Sequence, residues 1–187
     1  IGNVANGETI NLLVACAENV SIEQNEGVSF TIDGQIAENT KVQYTGTISI
    51  DGKEGYDRPE TLTIKNINFN NVSTTALTYI SAKETQSHNV TIESCVFDGN
   101  GNTIAKGIQV SEGNNWTVKG CTVNNNYNIF IDYAGAYNKM MNKNLLVDGC
   151  TINAKQGVLL GRFSNNCTIQ NTSFDCATLG INVASRM

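Results

Sequence analysis

Apolar and polar residues alternate in short runs along this chain, and the same run recurs. Val90-Thr91-Ile92, Trp116-Thr117-Val118, Leu145-Leu146-Val147 and Cys167-Thr168-Ile169 each begin and end on an inward-type residue, and Leu62-Thr63-Ile64 repeats the pattern. A period of two is that of a half-buried strand, and the β-branched residues that fill it suit a pleated surface. Each run opens a longer phrase, Asn-x-Thr-Ile/Val-x-x-Cys-x-Phe, read most fully at Asn89–Phe97 and again from Asn115 and Asn144. Its copies start at Leu62, Val90, Trp116, Leu145 and Cys167, in steps of 28, 26, 29 and 22 residues. Self-similarity at this period predicts a solenoid.

A second strand follows a turn in each unit: Leu77–Ile80, Gly107-Ile108-Gln109-Val110, Asn128-Ile129-Phe130-Ile131, Gly157-Val158-Leu159-Leu160 and Gly180-Ile181-Asn182-Val183. Two or three short strands per unit predict an all-β parallel β-helix of six to seven coils, spaced about 4.8 Å apart. Stacking would align Thr63, Thr91, Thr117 and Thr168 in one outward column, broken by Leu146, and Lys65, Glu93, Lys119, Asp148 and Gln170 in another. The alternating signs of that second column favour in-register pairing. Asn70, Asp98, Asn124, Asn153 and Asp175 would form an Asx ladder at a turn. Cys95, Cys121 and Cys150 share one repeat position and would stack inward as free thiols, since a buried thiol behaves as a small hydrophobe. Residues 1–187 read as one domain, with irregular coils over 1–60 and regular coils over 61–187.

Composition narrows the partners. Asn occurs 27 times and Pro once, so tight turns depend on Asn. The net charge of −5 supplies no basic stripe for nucleic acid. No apolar run approaches the roughly 18 residues of a membrane span, so no membrane insertion is expected. The chain opens at Ile1 without Met or leader and reads as part of a longer protein.

The strand–turn–strand unit, with Asn-x-Thr-Ile-x-x-Cys-x-Phe followed by Gly-Ile-x-Val, resembles the right-handed parallel β-helices of the pectin-lyase-like class. The resemblance covers about Thr61 to Val183. The opening Gly7-Glu8-Thr9-Ile10-Asn11-Leu12-Leu13, with Phe30-Thr31-Ile32-Asp33-Gly34, is similar to the first coils of secreted bacterial surface proteins of that class. It implies an extracellular or cell-surface location.

The resemblance also says where catalysis would sit. Polysaccharide-cleaving members carry carboxylates beside the Gly-Ile-x-Val strand. Here those positions hold Ala105-Lys106, Asn126-Tyr127, Lys155-Gln156 and Thr178-Leu179, none acidic, and the one His, His88, lies at the other strand. The remaining catalytic candidates are Arg162, which could serve a lyase as base, and Glu93 with Asp148, two outward carboxylates on one face. Asp51, Glu54 and Asp57 share a loop and are a calcium candidate, because calcium takes hard oxygen ligands; no other cofactor is expected.

A ligand-binding candidate comes from the second strand. Its alternation turns Phe130 and Leu159 outward and Ile129, Ile131, Val158 and Leu160 inward, with Tyr127, Asp132, Tyr133, Tyr137 and Arg162 close by. Exposed rings with polar neighbours suit a sugar. The competing reading folds the Ala134–Asn144 insertion over Phe130 and Leu159. Together these features point to a monomeric, non-catalytic module of a bacterial surface protein, structural or adhesive, with a glycan or a host or cell-surface protein as partner. The alternative is a polysaccharide lyase or glycoside hydrolase acting on acidic polysaccharide.

Overall fold

The computed structural model of the protein describes residues 4–23, 28–52, 60–70, 74–81, 88–99, 101, 105–111, 113–134, 143–161 and 164–184. Among them there is no helix. The strands are β1 (Thr9–Asn11), β2 (Val20–Glu23), β3 (Phe30–Asp33), β4 (Gln35–Ala37), β5 (Thr40–Tyr44), β6 (Ile48–Gly52), β7 (Glu60–Lys65), β8 (Ile67–Asn70) and β9 (Thr75–Ser81). They continue as β10 (His88–Glu93), β11 (Val96–Asp98), β12 (Lys106–Ser111), β13 (Asn114–Lys119), β14 (Thr122–Tyr133), β15 (Lys143–Asp148), β16 (Thr151–Leu160), β17 (Thr168–Gln170) and β18 (Ser173–Val183).

These strands wind into a parallel β-solenoid of about five turns, not six to seven. The coils that begin with β3, β7, β10, β13 and β15 each lie between two neighbours; β1–β2 and β17–β18 are the end rungs. The first face is the seven-stranded sheet β1-β3-β7-β10-β13-β15-β17. The second face runs through β5, β8 and β11, and the third through β2, β6, β9 and β12. β14 pairs with both β11 and β12, so the longer strands β14, β16 and β18 cross from the second face to the third.

The first face carries the repeat as expected. Val90 pairs with Leu62 and Trp116, and Ile92 with Ile64 and Val118, all fully buried. The Thr column is in register and longer than the repeat alone indicated: Thr9, Thr31, Thr63, Thr91, Thr117, Leu146 and Thr168. Two residues further on, Asp33, Lys65, Glu93, Lys119, Asp148 and Gln170 align. Lys65 Nζ lies 3.1 Å from Asp33 Oδ2, and Lys119 Nζ 3.1 Å from Glu93 Oε1. Exposed cross-strand pairs of this kind contribute roughly 0.2–1 kcal/mol each.

The corner between the first and second faces takes one residue in the left-handed region: Asn66 (φ 57°), Ser94 (52°), Gly120 (58°), Gly149 (63°) and Asn171 (50°). Asn and Gly tolerate that conformation, and a single such residue turns the chain sharply. The column Asn70, Asp98, Asn124, Asn153 and Asp175 is not that turn. Its members lie on the second-face strands, where Asp98 pairs with Asn70 and Asn124, and Asn153 with Asp175.

Inside the second face an aromatic stack runs along the axis. Tyr44 meets Phe69 edge-on at 5.6 Å between ring centroids, Phe69 lies flat on Phe97 at 4.9 Å, and Phe97 meets Phe130 edge-on at 5.1 Å. Cys95, Cys121 and Cys150 form the expected buried column of free thiols, each directing its sulfur at backbone carbonyls of its own and the preceding coil.

Candidate functional site

The catalytic candidates on the first face are engaged with their neighbours. Glu93 is paired with Lys119, and Lys119 stands between it and Asp148 in register. Asp148 accepts hydrogen bonds from Asn171 Nδ2 at 2.8 Å and Gln170 Nε2 at 3.0 Å, and these hold its carboxyl below the usual range. An acid that stays ionised at neutral pH cannot donate the proton a leaving group needs. The geometry makes these two carboxylates rungs of a charge column. Arg162 lies outside the described residues, as do Glu54 and Asp57 of the calcium candidate; Asp51, at the end of β6, is exposed. Among the described residues no group of three His, Cys, Asp or Glu side chains is arranged to hold a metal ion.

The aromatic candidates are placed differently from the expectation. Phe130, Tyr127 and Tyr133 are fully buried, so none presents a ring to solution. Leu159 is half-buried on the third face, and Tyr137 lies outside the described residues. The outward reading of Phe130 fails for two physical reasons. First, three residues separate Val123 from Tyr127 where one separates their partners Ile152 and Ala154. Lys106 pairs with Ile129 and Ile108 with Ile131, so Phe130, not Asn128, stands opposite Gly107. Second, alternation is suspended at this corner: Gly107 and Ile108 are consecutively buried, and so are Phe130 and Ile131.

The third face therefore has an inward column of Ile48, Leu77, Ile108, Ile131 and Val158, and a second of Ile50, Tyr79, Val110, Tyr133 and Leu160; Ile181 and Val183 continue the two registers onto the end rung, where both are exposed. Tyr133 serves as an internal tie. Its hydroxyl lies 2.9 Å from Gly113 O and 2.8 Å from Lys143 O, and its one hydrogen is donated to these carbonyls. Burial pushes that phenol well above its ordinary pKa.

One charged pair was missed in the sequence. Asp132 occupies the outward column between Gln109 and Leu159, yet it is only 8% exposed. Lys106 reaches across from β12 and its Nζ sits 2.6 Å from Asp132 Oδ2; the two side chains are 26% and 11% exposed. Asp132 Oδ1 is buried and has no hydrogen-bond partner among the described residues. A charge-assisted bond this short fixes both groups. The available signal was an acid set within Phe130-Ile131-Asp132-Tyr133, an otherwise apolar run.

Comparison with known proteins finds no matching family model, no matching curated protein and no matching solved structure.

Proposed function

We propose that this chain is a rigid, non-catalytic module of an extracellular or cell-surface protein, acting as a spacer or adhesive element. One observation carries the reading. The polar side chains that repeat along the first face bond in pairs across neighbouring coils: Asp33 with Lys65, Glu93 with Lys119, Asp148 with Gln170 and Asn171. Side chains locked in such a column stiffen a rod. Among the described residues Glu93 is engaged by a lysine and Asp148 by two amides, and the two do not face each other across a gap as an acid and a base.

A solenoid suits this role because each coil contacts only its neighbours, so length and shape follow from the number of coils. The surface location is supported only by the resemblance of the opening Gly7–Leu13 and Phe30–Gly34 segments to the first coils of secreted surface proteins. An antibody against the folded chain, applied to intact cells that produce the full protein, tests it. Labelling of intact cells is expected. Labelling that appears only after permeabilisation contradicts the surface role.

A further inference from the structure

The corner between the first and second faces is a single left-handed residue in five successive coils. The coil that begins with β3 departs from this. There the chain inserts the β4–β5 hairpin, the one antiparallel pair among the described strands. Its base is closed by Val42 N–H donating to Gly34 O at 2.7 Å. Gly34 has no room for a side chain, because a Cβ would lie 2.6 Å from Val42 Cγ1 and 2.7 Å from Asn66 O. The tip turns through Asn39 at φ 60°. The hairpin is thus a built feature of the coil.

It stands beside the corners of the following coils and borders a half-open depression of about 260 Å³, lined by the exposed Gln35, Asn39 and Thr40 and the half-buried Lys41, Asn66 and Ser94. The floor is held in place. Asn66 Nδ2 donates to Asp33 Oδ1 at 2.9 Å and faces Gln35 Oε1 at 3.3 Å, while Gln35 N–H donates to the same Asp33 oxygen at 3.0 Å. Burial works against the Asp33 carboxylate, but these bonds and Lys65 outweigh it and keep the group ionised below the usual range.

Three primary amides, two hydroxyls and one ammonium line the space, and no carboxylate does. Lys41 is half-buried, and it forms none of the ion pairs among the described residues. A half-buried cation without an acid partner among the described residues is open to an incoming anion. Primary amides offer donor and acceptor side by side, which suits the hydroxyls of a sugar. Lysine is a compact point charge that serves phosphate-type oxyanions without demanding one orientation, and the arginine fork can take its place there. The volume falls below the roughly 300–1,000 Å³ of drug-sized pockets, which fits one ring.

We propose that this hairpin depression binds a single sugar residue bearing a sulfate or phosphate ester. The inference deepens the adhesive reading and rests on it only in that the ligand is held and not cleaved. The test is a heteronuclear NMR titration of the intact chain with galactose sulfate, galactose phosphate and unmodified galactose. Saturable shifts are expected at the amide signals of Gln35, Thr40, Lys41, Asn66 and Ser94 with one or both esters, and the stronger of the two names the source of the oxyanion. Affinity should fall roughly ten-fold for galactose and for Lys41→Gln, the loss of one charge-assisted contact, and survive in Lys41→Arg. Absence of shifts at those signals, or equal affinity in Lys41→Gln, overturns the site and leaves the non-catalytic reading standing. Release of free sulfate or phosphate would instead overturn the non-catalytic reading.

Discussion

Phe130 fills the space above Gly107 in the preceding coil: a Cβ on Gly107 would come within 2.5 Å of the Phe130 ring and 2.8 Å of its carbonyl oxygen. Large and small residues are paired between neighbouring coils at this corner. Gly107→Ala should therefore destabilise the fold by about 1–3 kcal/mol, the range for overpacking a filled core. Phe130→Ala should cost about 3–5 kcal/mol through the cavity it leaves. In a Phe130→Leu background the cost of Gly107→Ala should shrink but persist, because the carbonyl contact remains. Urea midpoints of the single and double variants measure this. Equal costs in the two backgrounds would deny the contact.

The buried Lys106–Asp132 pair predicts an asymmetry. Lys106→Met strands a carboxylate that is only 8% exposed and should cost about 3 kcal/mol, the low end for removing one partner of a buried pair. The double replacement Lys106→Met with Asp132→Leu should recover most of that loss, since an apolar pair needs no compensation. Thermal or urea unfolding of the three variants checks it. A double variant no more stable than Lys106→Met would show that the pair is not the cause.

Thiol chemistry should separate two classes of cysteine. Cys95, Cys121 and Cys150 are buried, while Cys16, Cys167 and Cys176 are partly exposed. A hydrogen bond with Cys150 favours the Cys121 thiolate, but the contact with Cys95 and burial outweigh it and raise that pKa. The bond with Cys121, then burial, raise the Cys150 thiol further. Because the thiolate is the reactive form, these two resist alkylation twice over. Timed iodoacetamide labelling with mass spectrometry should modify Cys16, Cys167 and Cys176 first, and the three buried thiols only after denaturant is added. Early labelling of Cys121 or Cys150 would contradict the column.

Stability should fall at both ends of the pH scale. Asp33 and Asp148 are held below their ordinary value of 3.8, so their contribution is present above that value and is lost as pH falls through the folded-state pKa. Asp33→Asn should flatten this acid limb. Tyr44 is pushed up to about 12 by burial and by the nearby Cys16 and Glu18 groups. Its contribution is present below the unfolded value of 10.0 and lost as pH rises through about 12. Melting temperature against pH reads both limbs. An acid limb unchanged by Asp33→Asn would remove Asp33 from the account.

What the sequence disclosed depended on whether a feature lay within one coil or between coils. The first-face strands were legible because Val90, Ile92 and their equivalents keep a strict period of two, and the Cys, Thr and charge columns follow once copies are aligned. Phe130 was misread because its meaning lies in the coil below: only the Gly at 107 makes room for it, and the two extra residues before Tyr127 hide that alignment. Lys106 and Asp132 are 26 residues apart and meet only when the register is known. The β4–β5 hairpin lies in the first 60 residues, where the phrase is too degraded to reveal an insertion against it.

The central claim is that the carboxylates and lysines along the coils hold the stack together and perform no turnover. Incubation of the intact chain with a panel of uronate-containing polysaccharides, with and without calcium, tests it most directly by following reducing ends and unsaturated products. The account predicts none under either condition, and for Asp148→Asn and Glu93→Gln only altered stability. Product release by the wild-type chain that disappears in Asp148→Asn, Glu93→Gln or Arg162→Ala while the fold is retained would contradict it.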